Sequence, residues 1–333
     1  MLTHGAKFSC PQTGKKSFEA TSKAFPLNDS FRYNRLNMNA IFIGTDGKLR
    51  SGWRAAVFLL AFFLVASILI VISINAIALM PLDDSETAQL PIIIPFAVLT
   101  VVALVIGWLC AKFFEKLPYH SLGASLKNNW LAHLASGLAV GAVTFLLAII
   151  IVLASGSVSF SFNAASATNA IATTLLTTFV IFTVGAASEE ALFRGYLLQT
   201  FARSDLKWFG IAMTSVLFAF AHNANPGANP LALANTLLAG VWFAVAYFKT
   251  RDLWFPFGVH LAWNWLQGPV FGISVSGITG FAPDPLLRAN DVGPAWLTGA
   301  NYGIEGGGAC TVAIILSLAL IRLLPIKTHH TET

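Results

Sequence analysis

Glu189 and Glu190 are adjacent carboxylates inside an otherwise apolar stretch, with Arg194 following four residues after Glu190. No other acidic residue lies inside a hydrophobic segment of the chain. A charge near the centre of a bilayer-spanning helix costs roughly 2.5–3.5 kcal/mol on insertion scales, so such groups are candidates for function by default. Residues four apart share a helix face, which lets Glu190 pair with Arg194. Glu189 is rotated from its neighbour by about 100° and faces elsewhere. One carboxylate is thereby neutralised, and the other stays unpaired in apolar surroundings that suit it to general-base work. The plainer alternative is a buried Glu–Arg cluster that only locks helices together.

Two intramembrane histidines add to the constellation. The stretch "SVLFAFAHNANP" places Phe218 and His222 one turn apart, and "WFPFGVHLAWNWLQG" does the same for His260 and Asn264. If the polar turn "ARSDLKW" bends near Ser204–Asp205, Glu189 and His222 each lie about 25 Å from the tip of a hairpin, at 1.5 Å per residue. They reach equal depth. A second hairpin turning at "FKTRDL" puts His260 and Asn264 about 14 and 20 Å from its own tip, shallower than Glu189 by one to two turns. Pro256 and Gly258 can loosen the helix just before them.

The elements that must carry these residues are helices. A chain of 333 residues that is 56% hydrophobic and 11% charged lies outside the range of soluble domains, about a quarter of whose residues are charged. A span needs about 20 mostly apolar residues. Eight runs qualify: Ala55–Met80, Leu90–Ala111, Trp130–Ala154, Ala170–Ala187, Trp208–Ala221, Leu231–Phe248, Leu253–Gly268 and Ala309–Leu324. The fold class expected is therefore all-α, a polytopic membrane protein of about eight transmembrane helices around a polar intramembrane cavity. Residues 55–327 form one membrane domain with a core at 188–268, and residues 1–54 form a polar, disordered cytoplasmic tail.

Loop charges orient the chain, because cytoplasmic loops retain Lys and Arg. The first 54 residues hold nine basic and three acidic residues. The loop after the first run carries Asp83, Asp84 and Glu86 with no base. Lys112, Lys116 and Lys127, then Arg203 with Lys207, Lys249 with Arg251, and Lys327 all fall on the original side. Both termini are expected to be cytoplasmic, in a bacterial cell membrane. The net charge of +5 reflects this bias, and no nucleic-acid partner is needed to explain it. Residues 1–54 lack the apolar core of a cleavable signal, and Met38, 17 residues before the first run, is the expected true start. Cys10, Cys110 and Cys310 have no metal-type spacing. The longest connection, Pro269–Gly308, reads as an irregular outer loop or re-entrant cover without a legible function.

Glu-Glu-x-x-x-Arg, Phe-x-x-x-His and His-x-x-x-Asn, on three apolar runs in that order, resemble the CAAX protease and bacteriocin-processing (CPBP) family of intramembrane endopeptidases, which includes the type 2 CAAX prenyl endopeptidase. The match covers Ser188–Gly268 without departure at any motif position. It implies an eight-helix fold that hydrolyses peptide bonds at the membrane, acting on a peptide or a membrane-associated protein. It further implies that Glu189, with His222, activates the attacking water and that Glu190 and Arg194 support it, Glu190 sometimes being counted as catalytic. By the same resemblance Phe218 lies in the second motif, and His260 and Asn264 stabilise the oxyanion. No cofactor is required by this scheme. A divalent metal such as zinc would be held by Glu189, His222 and His260, a three-ligand catalytic set, although no H-E-x-x-H is present. A transporter relaying protons through the same groups, or a silent immunity or scaffold protein of the same fold, are the competing readings. The loop charges predict that a reporter fused after Thr333 is active only in its cytoplasmic form; an extracytoplasmic signal would overturn both the orientation and the even helix count.

Overall fold

Every one of the eight apolar runs is helical in the computed structural model, which describes residues 41–80, 89–127 and 129–326. The tail before residue 41 with Met38, the acidic residues Asp83, Asp84 and Glu86, and Lys327 lie outside the described residues. The helices are α1 (Ser51–Ala78), α2 (Leu90–Glu115) and α3 (Trp130–Ala154), followed by α4 (Thr168–Ala202) and α5 (Lys207–Ala221). After them come α6 (Pro230–Thr250), α7 (Trp254–Trp265) and α8 (Gly308–Leu323). Five of these, α1 to α4 and α6, are long and apolar enough to cross a membrane, and the chain is an integral membrane protein. At 1.5 Å per residue, the 15 residues of α5 extend only about 22 Å, short of a hydrocarbon core of about 30 Å, and the 12 α-helical residues of α7 extend about 18 Å before the helix continues as a π-helical segment at Leu266–Val270. The count of eight spans thus rests on α5, α7 and α8, which fall short by length alone.

One side of the bundle is tied together by buried charge. Arg54, in the first turn of α1, meets Glu115 at 2.6 Å, and Arg203 clasps the same carboxylate through Nε and Nη2 at 3.0 and 2.9 Å. α1 therefore starts at Ser51, ahead of the expected edge at Ala55, because Arg54 is drawn into this contact. Beside it, Asp252 Oδ1 accepts from the Trp254 backbone N–H at 3.0 Å and so caps α7. Its other oxygen meets His133 Nδ1 of α3. The Leu253 N–H donates to the Gly123 carbonyl at 2.9 Å. These contacts set the height at which α7 enters the bundle.

On the opposite side the chain departs from the expected irregular loop. Val158–Phe162 (β1) pairs antiparallel with Leu287–Asp291 (β2), in the register Val158 with Asp291 and Phe162 with Leu287. The long connection 271–307 folds on itself where the Gly277 N–H donates to the Tyr302 carbonyl at 2.8 Å, and it is held against the bundle by Asn235 of α6, whose Nδ2 donates to the Glu305 and Gly307 carbonyls at 2.8 and 2.9 Å.

α3 and α7 approach each other more closely than side chains permit. A Cβ on Gly137 would fall on the Phe255 carbonyl oxygen and one on Gly141 on that of Val259, while a Cβ on Gly258 would lie 2.6 Å from the Leu134 carbonyl. Small residues at such a spacing let helix backbones approach where lipid gives no hydrophobic drive to associate. Gly137→Ala is predicted to force the helices apart at about 1–3 kcal/mol. Its melting temperature in detergent falls, whereas Gly52→Ala, with open space around the new methyl, melts like the parent. Equal melting of the two variants would refute the packing argument.

Candidate active site

α4 does not end at its expected edge near Ala187. It runs to Ala202 and passes through a π-helical segment at Ala191–Leu197, where Gly195 has a non-helical ψ of −107°. π-bulges interrupt the i→i−4 ladder and are frequent at functional sites. Glu190 precedes the segment and Arg194 lies within it, with Arg194 Nη1 donating to Glu190 Oε1 at 3.0 Å. Both side chains are buried, at 1% and 0% exposure. Arg194 Nη2 donates to the Gly240 carbonyl of α6 at 3.0 Å. The guanidinium carbon lies 4.9 Å from the centre of the Phe218 ring and 5.0 Å from that of Phe243, close enough for cation–π attraction. The pairing anticipated for Glu190 is thus present, and Phe218 is one of the rings that enclose it.

His260 is the hub. Its Nδ1 lies 3.0 Å from Glu190 Oε1, so that oxygen serves both Arg194 and His260. The imidazole stacks on Phe243 with ring centres 4.5 Å apart. With Nδ1 directed at Glu190, it is Nε2 that faces Glu189 Oε2, at 3.7 Å. The depth mismatch expected between His260 and Glu189 is absent. Counting residues from each hairpin tip compares depths only if both tips lie at one height, and the two tips are held by different contacts, Arg203 with Glu115 at the first and Asp252 with His133 at the second. The cap at Asp252 also fixes where α7 begins.

Glu189 retains 28% of its side-chain exposure and lines a cavity of about 410 Å³ with His222, His260 and Asn264. His222 follows the last residue of α5, and its Nδ1 sits 2.8 Å from the Phe218 carbonyl. An Nδ1–H donated there leaves Nε2 as the acceptor. Asn264 lies one turn beyond His260 on α7. The three helices therefore bring Glu189, His222, His260 and Asn264 to one cavity, with Glu190 and Arg194 behind its wall. Phe96, Leu99, Ile181 and Phe182 form an apolar arm of the same cavity.

Glu305 also lines the cavity, and no sequence signal marked it. It sits in the connection before α8, in the glycine-rich stretch "GIEGGG", where a lone acid reads as solvent-facing. Its Oε1 accepts from Trp263 Nε1 at 3.1 Å, and its Oε2 accepts from the Ser276 N–H at 2.7 Å and hydroxyl at 2.8 Å. Asn235 Nδ2 of α6 holds the backbone, donating to the Glu305 carbonyl at 2.8 Å.

The zinc alternative fares less well on geometry. Among the described residues, no three His, Cys, Asp or Glu side chains converge as a metal ligand set. Glu189, His222 and His260 share the cavity, and with Nδ1 of each imidazole directed at Phe218 or Glu190 the other ring nitrogen stays available as a ligand.

Residues 171–266 match the family model described as Type II CAAX prenyl endopeptidase Rce1-like. An Escherichia coli protein described as an uncharacterized 24.3 kDa protein is 35% identical over 100 residues, 29% of this chain and 45% of that protein. The chain thus spans under half the length of this relative. The matched segment carries the cavity residues of α4, α5 and α7, and it is similar to the type II CAAX prenyl endopeptidase family. Removing one partner of a buried ion pair costs about 3–5 kcal/mol. Glu190→Gln and Arg194→Ala are therefore predicted to lower the detergent melting temperature together, while Glu189→Gln leaves it near that of the parent. Glu190→Gln melting like the parent would deny the pair its structural role.

Proposed function

We propose that this protein is an intramembrane endopeptidase that hydrolyses peptide bonds with a water activated by Glu189 and His222. What supports the reading is one observation above the rest. Glu189 is a carboxylate left outside the Glu190–Arg194 pair, facing a cavity that His222 and His260 also line, with His260 Nε2 3.7 Å from its Oε2, in a segment matched by an endopeptidase family. The transport and scaffold alternatives have no observation in their favour.

In this mechanism a peptide carbonyl enters the cavity between Glu189 and Asn264. Glu189 takes a proton from water as its oxygen bonds to the carbonyl carbon, with His222 Nε2 as the second acceptor that orients the water. The carbonyl oxygen becomes an oxyanion, and the donors available to it are the Asn264 side-chain amide and, when the ring is an imidazolium, the His260 Nε2–H, since Nδ1 already donates to Glu190. Collapse of the tetrahedral intermediate breaks the C–N bond, and the proton held by Glu189 passes to the departing amine. The products are a new carboxylate and a new amine. Glu190 does not exchange protons in this scheme. It fixes the His260 ring through Nδ1, and Arg194 fixes Glu190. Both termini lie in the cytoplasm of a bacterial cell in this reading, and the substrate is a peptide or membrane-associated protein delivered through the bilayer.

The test is cleavage of a fluorogenic peptide by the purified protein in detergent, with and without chelator. Glu189→Gln is expected to lower kcat by about 10²–10⁴, the range ascribed to a lost general base, at unchanged melting temperature. Asn264→Ala is expected to lower kcat by about 10²–10³ with little change in KM, as for one oxyanion donor. Activity is expected to survive the chelator. Full activity of Glu189→Gln would overturn the assignment, and loss of activity on chelation that zinc restores would return the metal reading.

A further inference from the structure

The cavity's charge is not balanced. Glu190 is neutralised by Arg194, but Glu189 and Glu305 both line the cavity and no lysine or arginine does. Glu305 is held by three neutral donors, from Trp263 and Ser276, and among the described residues no cation pairs with it. A carboxylate taken out of water without a cation keeps its desolvation cost unmet. Burial pushes the Glu305 carboxyl above its ordinary range, against the opposing pull of the Ser276 hydrogen bonds, nearby His222 and Trp263. A cation arriving from outside the protein is what this wall lacks.

We infer that Glu305 is a specificity-determining residue of the proposed peptidase, which selects peptide substrates that carry a lysine or arginine side chain close to the scissile bond. This inference rests on the endopeptidase reading given above. Three features place the selecting group rather than a mere loop anchor at this position. The carboxylate's plane is set by donors from two directions, Trp263 on α7 and Ser276 on the long connection, so its remaining lone pair is aimed rather than free to turn. Trp263 is the residue immediately before Asn264, so the carboxylate and the oxyanion donor are carried by one helix turn. The backbone of Glu305 is fixed independently by Asn235. The apolar arm built from Phe96, Leu99, Ile181 and Phe182 then accepts the uncharged part of the peptide. The same charge balance disfavours an acidic residue at that position, because like charges in a site of low dielectric repel strongly.

The experiment uses the full chain in detergent and a set of acetylated, amidated ten-residue peptides of alanine and leucine. One lysine, norleucine or glutamate is moved through the positions on either side of the centre. Cleavage and binding of each peptide are measured separately. The wild-type protein is expected to favour lysine over glutamate at one position by at least tenfold, with norleucine between them. Glu305→Gln is expected to abolish that ratio, whereas Glu305→Asp and Ser276→Ala, which keep the charge but weaken the loop contacts, retain it. Should Glu305→Gln fail to fold, the wild-type ratio and its retention in Glu305→Asp decide the matter. Cleavage with no charge preference in the wild-type protein, or the same preference in Glu305→Gln, overturns the role of Glu305 and leaves the peptidase reading standing. Lysine-selective binding lost in Glu305→Gln without any cleavage upholds the recognition and overturns the peptidase. Neither binding nor cleavage of any peptide overturns both.

Discussion

The buried contact between Glu190 and Arg194 is the constraint on which the rest of the site depends. Arg194 has 0% exposed side chain, and a guanidinium cannot shed its charge to suit an apolar site. The chain meets that cost with Glu190, the Gly240 carbonyl and the faces of Phe218 and Phe243. Those partners come from α4, α5 and α6, so satisfying one cation draws three helices to a point. Glu190 then has an oxygen that also engages His260, which adds α7. Buried ion pairs are weak evidence for stability in themselves. This one has a clear second consequence, because it fixes which nitrogen of His260 faces Glu189.

Helix length supplies the second condition. α5 begins at the latched side of the bundle and stops after 15 residues beside His222, and α7 leaves the α-helical ladder after 12 residues, one residue past Asn264, for a π-helical segment at Leu266–Val270. Irregular backbone is tolerated at membrane depth only when buried in protein or lining a polar cavity. The connection 271–307 comes down to cover those ends, pinned by the β1–β2 pairing and by Asn235. The polar cavity is thus a product of a helix that ends early, α5, of one that changes its winding, α7, and of the loop that covers them. Close packing of α3 on α7 at Gly137, Gly141 and Gly258 holds the shorter of these helices in place.

Much of this was legible in the sequence, and the part that was not has physical reasons. Helix periodicity and hydropathy located all eight helical runs, and the four-residue spacing of Glu190 and Arg194 foretold their contact. The equal depth assigned to Glu189 and His222 agrees with their common cavity. The depth of His260 was misjudged because a count of residues along each hairpin does not register how far its tip protrudes, which long-range contacts such as Arg203 with Glu115 and Asp252 with His133 decide. The contact of Arg54 and Arg203 with Glu115 was not read from the sequence, since nothing in their spacing shows that three helix ends meet. Glu305 was invisible for a related reason: a loop residue's position is set by long-range contacts, here with Trp263, Ser276 and Asn235, and no local periodicity encodes them.

Direct attack by water on the peptide carbonyl is the central claim, and Glu189 could instead act as a nucleophile that forms a transient anhydride. A single turnover in oxygen-labelled water separates the two. Substrate is held below the protein concentration, the released carboxyl product is weighed, and the segment containing Glu189 is recovered and weighed as well. The account predicts one labelled oxygen in the new carboxyl terminus of the product and none in Glu189. Label appearing in Glu189, with an unlabelled first product, would contradict it.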